Sequence, residues 1–350
     1  MIVGGALGME KAVVFHLNIE LIRFSLCNPE QKWCVFVYTF RNQLKNDIMS
    51  RITWKGVYPA LTTKFTANDE LDLKMFKKNL DAQVAAGVHG VILGGSLGEA
   101  STLTQAEKEL LLKETVAHLG GKIPVIVNIA EQSTKVAVEF ASRAKSLGAE
   151  GIMLLPPLRY KADSHETVQY FKAVAQATDL PVMIYNNPVD YGIMVTIEMF
   201  AELAQVPNIV ALKESTRDIS NVTRMKNAFG DRFKILCGVD TLAMEELVMG
   251  ADGWVAGLVC AFPRETVAIY ELVQQGRYQE ALKIYRWFLP LLELDIHPKL
   301  VQYIKLAEVA TGIGTEYVRA PRLPLGGTEK KSVQAIIDSA LKIRPVLPKL

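Results

Sequence analysis

Cysteine is scarce in this chain of 350 residues, and its four copies are scattered. Cys27, Cys34, Cys237 and Cys260 form no CxxC pair and no zinc-finger spacing. That argues against a disulfide scaffold and for a reducing, cytoplasmic setting. The five histidines, His16, His89, His118, His165 and His297, stand apart with no HExxH, so neither metal nor cofactor is expected. No apolar run reaches the length of a membrane span, and the first residues lack the order of a secretory signal. Nor does charge of one sign accumulate: 39 basic residues face 37 acidic ones, mixed along the chain, for a net charge of +2. Nucleic acid and anionic membrane surfaces are therefore not expected partners. No GxGxxG follows the first strand, which disfavours an open dinucleotide-binding sheet.

What is present is apolar sequence, half of all residues, arranged in a strand–helix rhythm. Strands are expected over 56–62, 91–94, 124–128, 152–155, 182–185, 209–213, 233–237 and 254–259. Helices are expected over 72–86, 104–119, 133–147, 164–177, 196–204, 219–229, 242–249 and 264–275. Leu73, Phe76, Leu80 and Val84 fall at helical spacing, and Thr104 with Glu107 has the capping-box pattern. The strands are apolar without alternation, as in a parallel sheet covered on both faces. Eight such units predict a closed (β/α)₈ barrel over 51–275. Further helices, over 278–292, 299–310 and 329–341, predict a C-terminal helical extension over 276–350. Residues 1–50 do not share the rhythm. We read them as an extension that packs poorly, with Met49 as the expected translation start.

Three strand ends carry the chemistry. Ile209 to Leu212 is apolar and runs straight into Lys213. Desolvation lowers a lysine's pKa, and a neutral amine attacks carbonyls. The plain alternative is a lysine that turns out to solvent or to a carboxylate. Pro181 to Ile184 runs into Tyr185-Asn186-Asn187-Pro188, and Val91 to Leu93 runs into Gly94-Gly95-Ser96-Leu97-Gly98-Glu99. Such a glycine turn at a strand end can present backbone N–H groups to an anion, although an ordinary tight turn needs glycine as well.

Taken in order, these stretches resemble the dihydrodipicolinate synthase/N-acetylneuraminate lyase family of Schiff-base aldolases. That family's GxxGE, Tyr-Asn-x-Pro and Lys-Glu appear here as Gly95-Ser96-Leu97-Gly98-Glu99, Tyr185-Asn186-Asn187-Pro188 and Lys213-Glu214. The resemblance runs from about residue 53 to the C-terminus. It implies that Lys213 forms a Schiff base and that Tyr185, 28 residues earlier, relays protons. It implies a small-molecule substrate bearing a carboxylate held by Gly95, Ser96 and Leu97. Ser215, Gly238, Asp240 and Gly257 would complete the pocket. Glu99 would brace its loop, and the extension would help assemble a homotetramer.

Three departures narrow the expected reaction. Leu97 stands where dihydrodipicolinate synthases carry a second threonine. Leu158 and Arg159 stand in place of their paired tyrosines, with Tyr160 the nearest substitute. Asp190 stands in place of the arginine that binds a second carboxylate. These departures argue against 4-hydroxy-tetrahydrodipicolinate synthase, which stays as an alternative. The chain looks more like the branch that deaminates 4-hydroxy-1-pyrroline-2-carboxylate to 2,5-dioxopentanoate and ammonia, a substrate with one carboxylate. That likeness lies in 94–99, in Pro157-Leu158-Arg159-Tyr160-Lys161, in Tyr185 to Val189 and in Leu300 to Leu306. A 2-keto-3-deoxy sugar acid aldolase or dehydratase is the second enzymatic alternative, with Asn128, Glu131, Arg159 and Ser215 as hydroxyl partners. A barrel that has lost catalysis and only binds is the non-enzymatic one.

Overall fold

The structure, a computed structural model, describes residues 52–350. The expectations for 1–50 and for a start at Met49 fall outside the described residues, as do Cys27 and Cys34. Eight strands carry the fold: β1 (Gly56–Pro59), β2 (Val91–Leu93), β3 (Val125–Ile129), β4 (Gly151–Leu154), β5 (Val182–Asn186), β6 (Ile209–Glu214), β7 (Lys234–Cys237) and β8 (Gly253–Ala256). Every strand residue except Val210 and Lys234 is buried, which is why the strands read as unbroken apolar runs. All pairings are parallel, in the order β1-β8-β7-β6-β5-β4-β3-β2. The ring closes between β1 and β2 just beyond the first strand. There Ala60 pairs with Ile92, and the Leu61 N–H donates to the Ile92 carbonyl at 3.0 Å. The fold is the expected (β/α)₈ barrel.

Each strand is followed by a helix: α1 (Leu73–Ala86), α2 (Gln105–Leu119), α3 (Thr134–Ala144), α4 (Ser164–Gln176), α5 (Ile197–Leu203), α6 (Ser220–Phe229), α7 (Ala243–Val248) and α8 (Pro263–Gln274). Thr104 and Glu107 form the capping box that opens α2, and Gly120 closes it in the left-handed region at φ 53°. The first and last strands end well before the expected residues. After Pro59 the chain leaves the ladder except for the single bridge at Ala60. Beyond Ala256 the N–H groups of Gly257 and Leu258 donate to the Asp240 carboxylate at 3.1 and 2.8 Å, and Leu258–Cys260 becomes a 3₁₀ turn.

The extension is α9 (Tyr278–Leu292), α10 (Leu300–Ala310) and α11 (Gly327–Lys342). Phe288, Leu291, Ile304 and Ile337 join the same apolar core as the barrel. Buried ion pairs bind the extension to the catalytic end. Lys305 Nζ meets Glu99 Oε1 at 2.5 Å, and Lys64 Nζ meets Glu308 Oε1 at 2.8 Å, all four side chains fully buried. Removing one partner would strand a buried charge, at a cost of about 3–5 kcal/mol. Glu99 also accepts from the Arg319 N–H at 3.0 Å and therefore braces its turn from the extension.

One buried acid has no such partner. Both carboxylate oxygens of Glu246, on α7, are buried with only the Cys237 thiol beside them. Burial, with Glu214 nearby, raises its pKa from 4.5 to about 8. The folded state thus holds this proton more tightly than the unfolded chain. Its stabilising effect is complete below pH 4.5 and is lost as pH rises through about 8. Glu246→Gln is expected to leave stability near pH 5 unchanged and to raise it above pH 8 by a few kcal/mol. Urea unfolding at both pH values checks this, and equal shifts at the two would count against it.

Candidate active site

The site forms at the C-terminal ends of the strands because the parallel register brings Tyr185 and Lys213 side by side. Tyr185 pairs with Lys213, and Asn186 with Glu214, in the β5–β6 ladder. Strand alternation then sorts the side chains. Tyr185 and Lys213 point into the barrel mouth, and Glu214 points away to accept from Thr216 N–H at 2.7 Å and Asn221 Nδ2 at 2.6 Å. Asn186 likewise turns out, exchanging two 3.0 Å hydrogen bonds with the backbone of Val195 to pin the returning loop.

Lys213 is 6% exposed, with Nζ 4.1 Å from the centre of the Tyr185 ring. The amine therefore sits over the face of the ring. Burial lowers its pKa below that of free lysine, while Tyr191, Asp295 and Asp240 pull the other way. Burial raises the Tyr185 phenol to about 12. Asn187 Nδ2 donates to Tyr185 Oη at 3.1 Å, so the phenol's own hydrogen is left to point elsewhere.

These groups line a cavity of about 530 Å³. Of the residues singled out from the sequence, Gly95, Ser96, Leu97, Tyr185, Lys213, Ser215, Gly238 and Gly257 lie on its wall. Among the described residues, the N–H groups of Ser96 and Leu97 donate to no other backbone group, as a carboxylate cradle needs. The Ser215 hydroxyl is buried beside the Tyr185 phenol, whose pKa it lowers. Gly238 is glycine for a steric reason. A methyl there would lie 2.6 Å from Lys213 Cε and would also strike Ser215 Oγ.

Two expected residues are not brought to the cavity. Tyr160 is 61% exposed, and its hydroxyl donates to Glu166 on the first turn of α4. It lies off the cavity wall of this chain. The Asp240 carboxylate is buried and already engaged by Trp254 Nε1 at 2.9 Å and by two backbone N–H groups, so it ties β7 to β8 instead of facing a ligand. Asn128, Glu131 and Arg159 also lie off the wall.

Among the wall residues that escaped the sequence reading, four bear on the chemistry. Asn187 and Tyr191 belong to one helical turn, Pro188–Tyr191, that Asn187 caps. Arg217 follows β6, and Asp295 comes from the 3₁₀ turn Glu293–Ile296 after α9. Burial, with the like charge of Asp240, raises the Asp295 pKa well above the usual carboxylate range. The signal for Asn187 and Tyr191 was the Asn-Pro cap; for Arg217 and Asp295 no motif pointed inward.

A buried lysine paired with a tyrosine at the mouth of a parallel barrel matches the expected family, and comparison with known proteins decides it. The dihydrodipicolinate synthetase family matches residues 53–340. This chain belongs to that family. It is 35% identical to the 4-hydroxy-tetrahydrodipicolinate synthase of Exiguobacterium sibiricum, over 78% of this chain and 92% of the relative. It is 33% identical to the enzyme of the same name from Methanospirillum hungatei, over 77% and 93%. The crystal structure of a dihydrodipicolinate synthase from Bacillus anthracis superposes with a TM-score of 0.79 at 27% identity, covering 82% of this chain and 99% of that one. A putative dihydrodipicolinate synthetase from Pseudomonas aeruginosa gives 0.78 at 29%, with the same coverage. The chain is therefore a Schiff-base-forming lyase of the dihydrodipicolinate synthetase family. The narrower resemblance to the pyrroline-deaminating branch gains no support from these relatives. Among the described residues no helix is long and apolar enough to cross a membrane, and no cluster of three or more His, Cys, Asp or Glu could hold a metal ion.

Proposed function

We propose that Lys213 forms an imine with C2 of a 2-oxo acid and that the derived enamine condenses with an aldehyde, as in 4-hydroxy-tetrahydrodipicolinate synthesis. The observation that carries this reading is the register pair Tyr185–Lys213, with its desolvated amine inside the barrel mouth. In this scheme the amine adds to the keto carbon, and loss of water gives the iminium. Loss of a C3 proton moves the C–H electron pair into a C2=C3 double bond. C3 then attacks the aldehyde carbon, whose oxygen takes up a proton. The amino group carried by the aldehyde substrate finally attacks C2, closes the ring and expels the lysine amine.

The product named for the relatives has two carboxylates, a ring nitrogen and a hydroxyl. Removing the three carbons of pyruvate leaves a four-carbon amino acid aldehyde, aspartate 4-semialdehyde. Two carboxylates need two receivers. Asp190 stands where the sequence comparison called for an arginine, and it accepts from Asn187 Nδ2 at 2.6 Å. Arg217, on the same cavity wall, supplies a guanidinium from another loop. This removes the electrostatic objection drawn from Asp190 alone, and what supports the synthase over the deaminase is the name its relatives carry.

One observation favours deamination as a second reading. The cavity wall carries two carboxyls, Asp190 and Asp295, which suit an amine-bearing substrate with a single carboxylate. There Lys213 would open the cyclic imine, the 4-hydroxyl would leave as water, and hydrolysis would release ammonia. The two readings separate in one assay. The protein is given pyruvate with aspartate 4-semialdehyde, or 4-hydroxy-1-pyrroline-2-carboxylate alone, and semialdehyde loss and ammonia are followed. Semialdehyde consumption that requires pyruvate is expected; ammonia from the pyrroline without condensation would replace the synthase by the deaminase.

A further inference from the structure

Asp295 reaches the cavity from the C-terminal extension, on the 3₁₀ turn Glu293–Ile296. Two residues from separate loops seat its carboxyl. A methyl group on Gly257, just past β8, would lie 2.3 Å from Asp295 Oδ1 and 3.0 Å from Leu97 Cδ1. The carboxyl therefore fills the space that a side chain at position 257 would take, and the buried Leu97 closes on the same point. An apolar neighbour and little water disfavour the ionised form of an acid. The charged groups around Asp295 divide: Asp240 and Asp190 oppose its ionisation, and Lys213 and Arg217 favour it. Burial decides the outcome, and the acid holds its proton well above the usual carboxylate range. Lys213 shows the opposite shift, an amine that burial makes easier to deprotonate. One cavity thus holds an amine and a carboxyl that both lean toward their neutral forms.

We propose that Asp295 is the catalytic acid of the condensation, giving its proton to the aldehyde oxygen as C3 of the enamine attacks the aldehyde carbon. This rests on the reading of Lys213 as the imine-forming lysine and of an amino aldehyde as the second substrate. The enamine π pair forms the new C–C bond, the carbonyl π pair takes the Asp295 proton, and the lysine nitrogen is left as an iminium. That positive charge appears in the cavity while the proton leaves. A positive charge on Lys213 favours ionised Asp295, so the acid strengthens at the step that uses it. The Asp295 carboxylate then takes a proton from the ammonium group of the bound substrate, which frees the amine to attack C2. The acid is restored, and the net transfer is one proton from nitrogen to oxygen. Other wall groups suit the step less well. The Tyr185 phenol, pushed up to about 12, is a poor acid at neutral pH. Asp190 already accepts from Asn187 Nδ2 at 2.6 Å.

The test uses Asp295→Asn, which keeps the size of the side chain and removes the acid. Two steps are read: exchange of the C3 hydrogens of pyruvate for deuterium, followed by proton NMR, and pyruvate-dependent loss of aspartate 4-semialdehyde. Exchange needs the imine and the enamine but no aldehyde; condensation needs the acid as well. The ratio of condensation to exchange is expected to fall roughly 10²- to 10⁴-fold in the variant. In the wild-type protein the same ratio should fall as pH rises through the pKa of Asp295, because only the protonated form gives a proton. Asp295→Asn should lack that fall, which a purely structural role would not produce. Lys213, Arg217, Asp190, Asp240 and Tyr185 are the titratable or charged groups that face Asp295. Their effects on imine formation enter both steps and cancel in the ratio. An unchanged ratio in Asp295→Asn, with both steps kept or both slowed equally, would overturn the acid role and leave the Lys213 reading intact. So would a variant that keeps the fall with pH. If the variant does not fold, the wild-type protein decides alone, and a ratio flat with pH would overturn the proposal. Absence of exchange in the wild-type protein would overturn both readings, and exchange without condensation would overturn the synthase reading and the acid role together.

Discussion

Lys213→Ala is expected to abolish turnover, by on the order of 10⁴-fold or more, and to abolish capture of a 2-oxo acid by borohydride. No other group on the cavity wall can take over the covalent step. The other nucleophiles on the wall are hydroxyls, carboxyls and the His297 imidazole, none of them a primary amine that could form an imine. Stability should move the other way. The wild-type chain holds an amine at 6% exposure beside an aromatic face, and burial depresses its pKa, so the folded state tolerates that charge poorly. Alanine removes the strain and opens space into an existing cavity. Calorimetry should therefore show an unchanged or higher unfolding temperature. A large fall in unfolding temperature would mean that Lys213 is a structural residue, and retained turnover would mean that the imine forms elsewhere.

The second large effect is expected at Gly238. Its N–H donates to the Glu214 carbonyl at 2.6 Å, which holds the backbone of β7 close against the lysine strand. A methyl group at Gly238 would stand 2.6 Å from Lys213 Cε and 2.8 Å from Lys213 Cγ, far inside contact distance. The backbone on both sides is fixed by the barrel ladder, so the lysine must yield. A displacement near 1 Å at a reacting atom costs about 10²-fold in rate. Gly238→Ala should lower the rate of imine capture by roughly that factor, with an overpacking penalty of about 1–3 kcal/mol. Capture kinetics and urea unfolding read the two terms separately. A variant that captures pyruvate at the wild-type rate would show that the lysine has another productive position.

The barrel was legible because its physics is local and repeated. Strands buried on both faces must be apolar throughout, and eight of them alternate with amphipathic helices. The Lys213–Tyr185 pair was also legible, since each ends an apolar run and adjacent parallel strands place equal heights side by side. What escaped the sequence depended on contacts between segments far apart in the chain. Asp240 looked available at a strand end, but Trp254, Gly257 and Leu258 engage its carboxylate from the next strand. Tyr160 follows β4 where a site tyrosine was sought, yet the helix cap that opens α4 draws it onto Glu166. Asp295 reaches the cavity only because the extension folds back over the barrel mouth, fastened by Lys305–Glu99 and Lys64–Glu308. No spacing rule joins residue 295 to residue 213.

The same long-range closure changed the electrostatic argument about substrate. The sequence offered Asp190 as a single charge at a single position and made it decisive. In the folded chain Asp190 shares its wall with Arg217 and Asp295, and Asn187 engages one of its oxygens. Selectivity then depends on how Arg217, Asp190 and Asp295 divide a substrate's carboxylates and amine.

The most direct measurement is borohydride reduction of the full-length protein with pyruvate, followed by proteolysis and mass spectrometry of the peptides. The account predicts one pyruvyl adduct, on Lys213. An adduct mapped only to other lysines, or none at all, would contradict it.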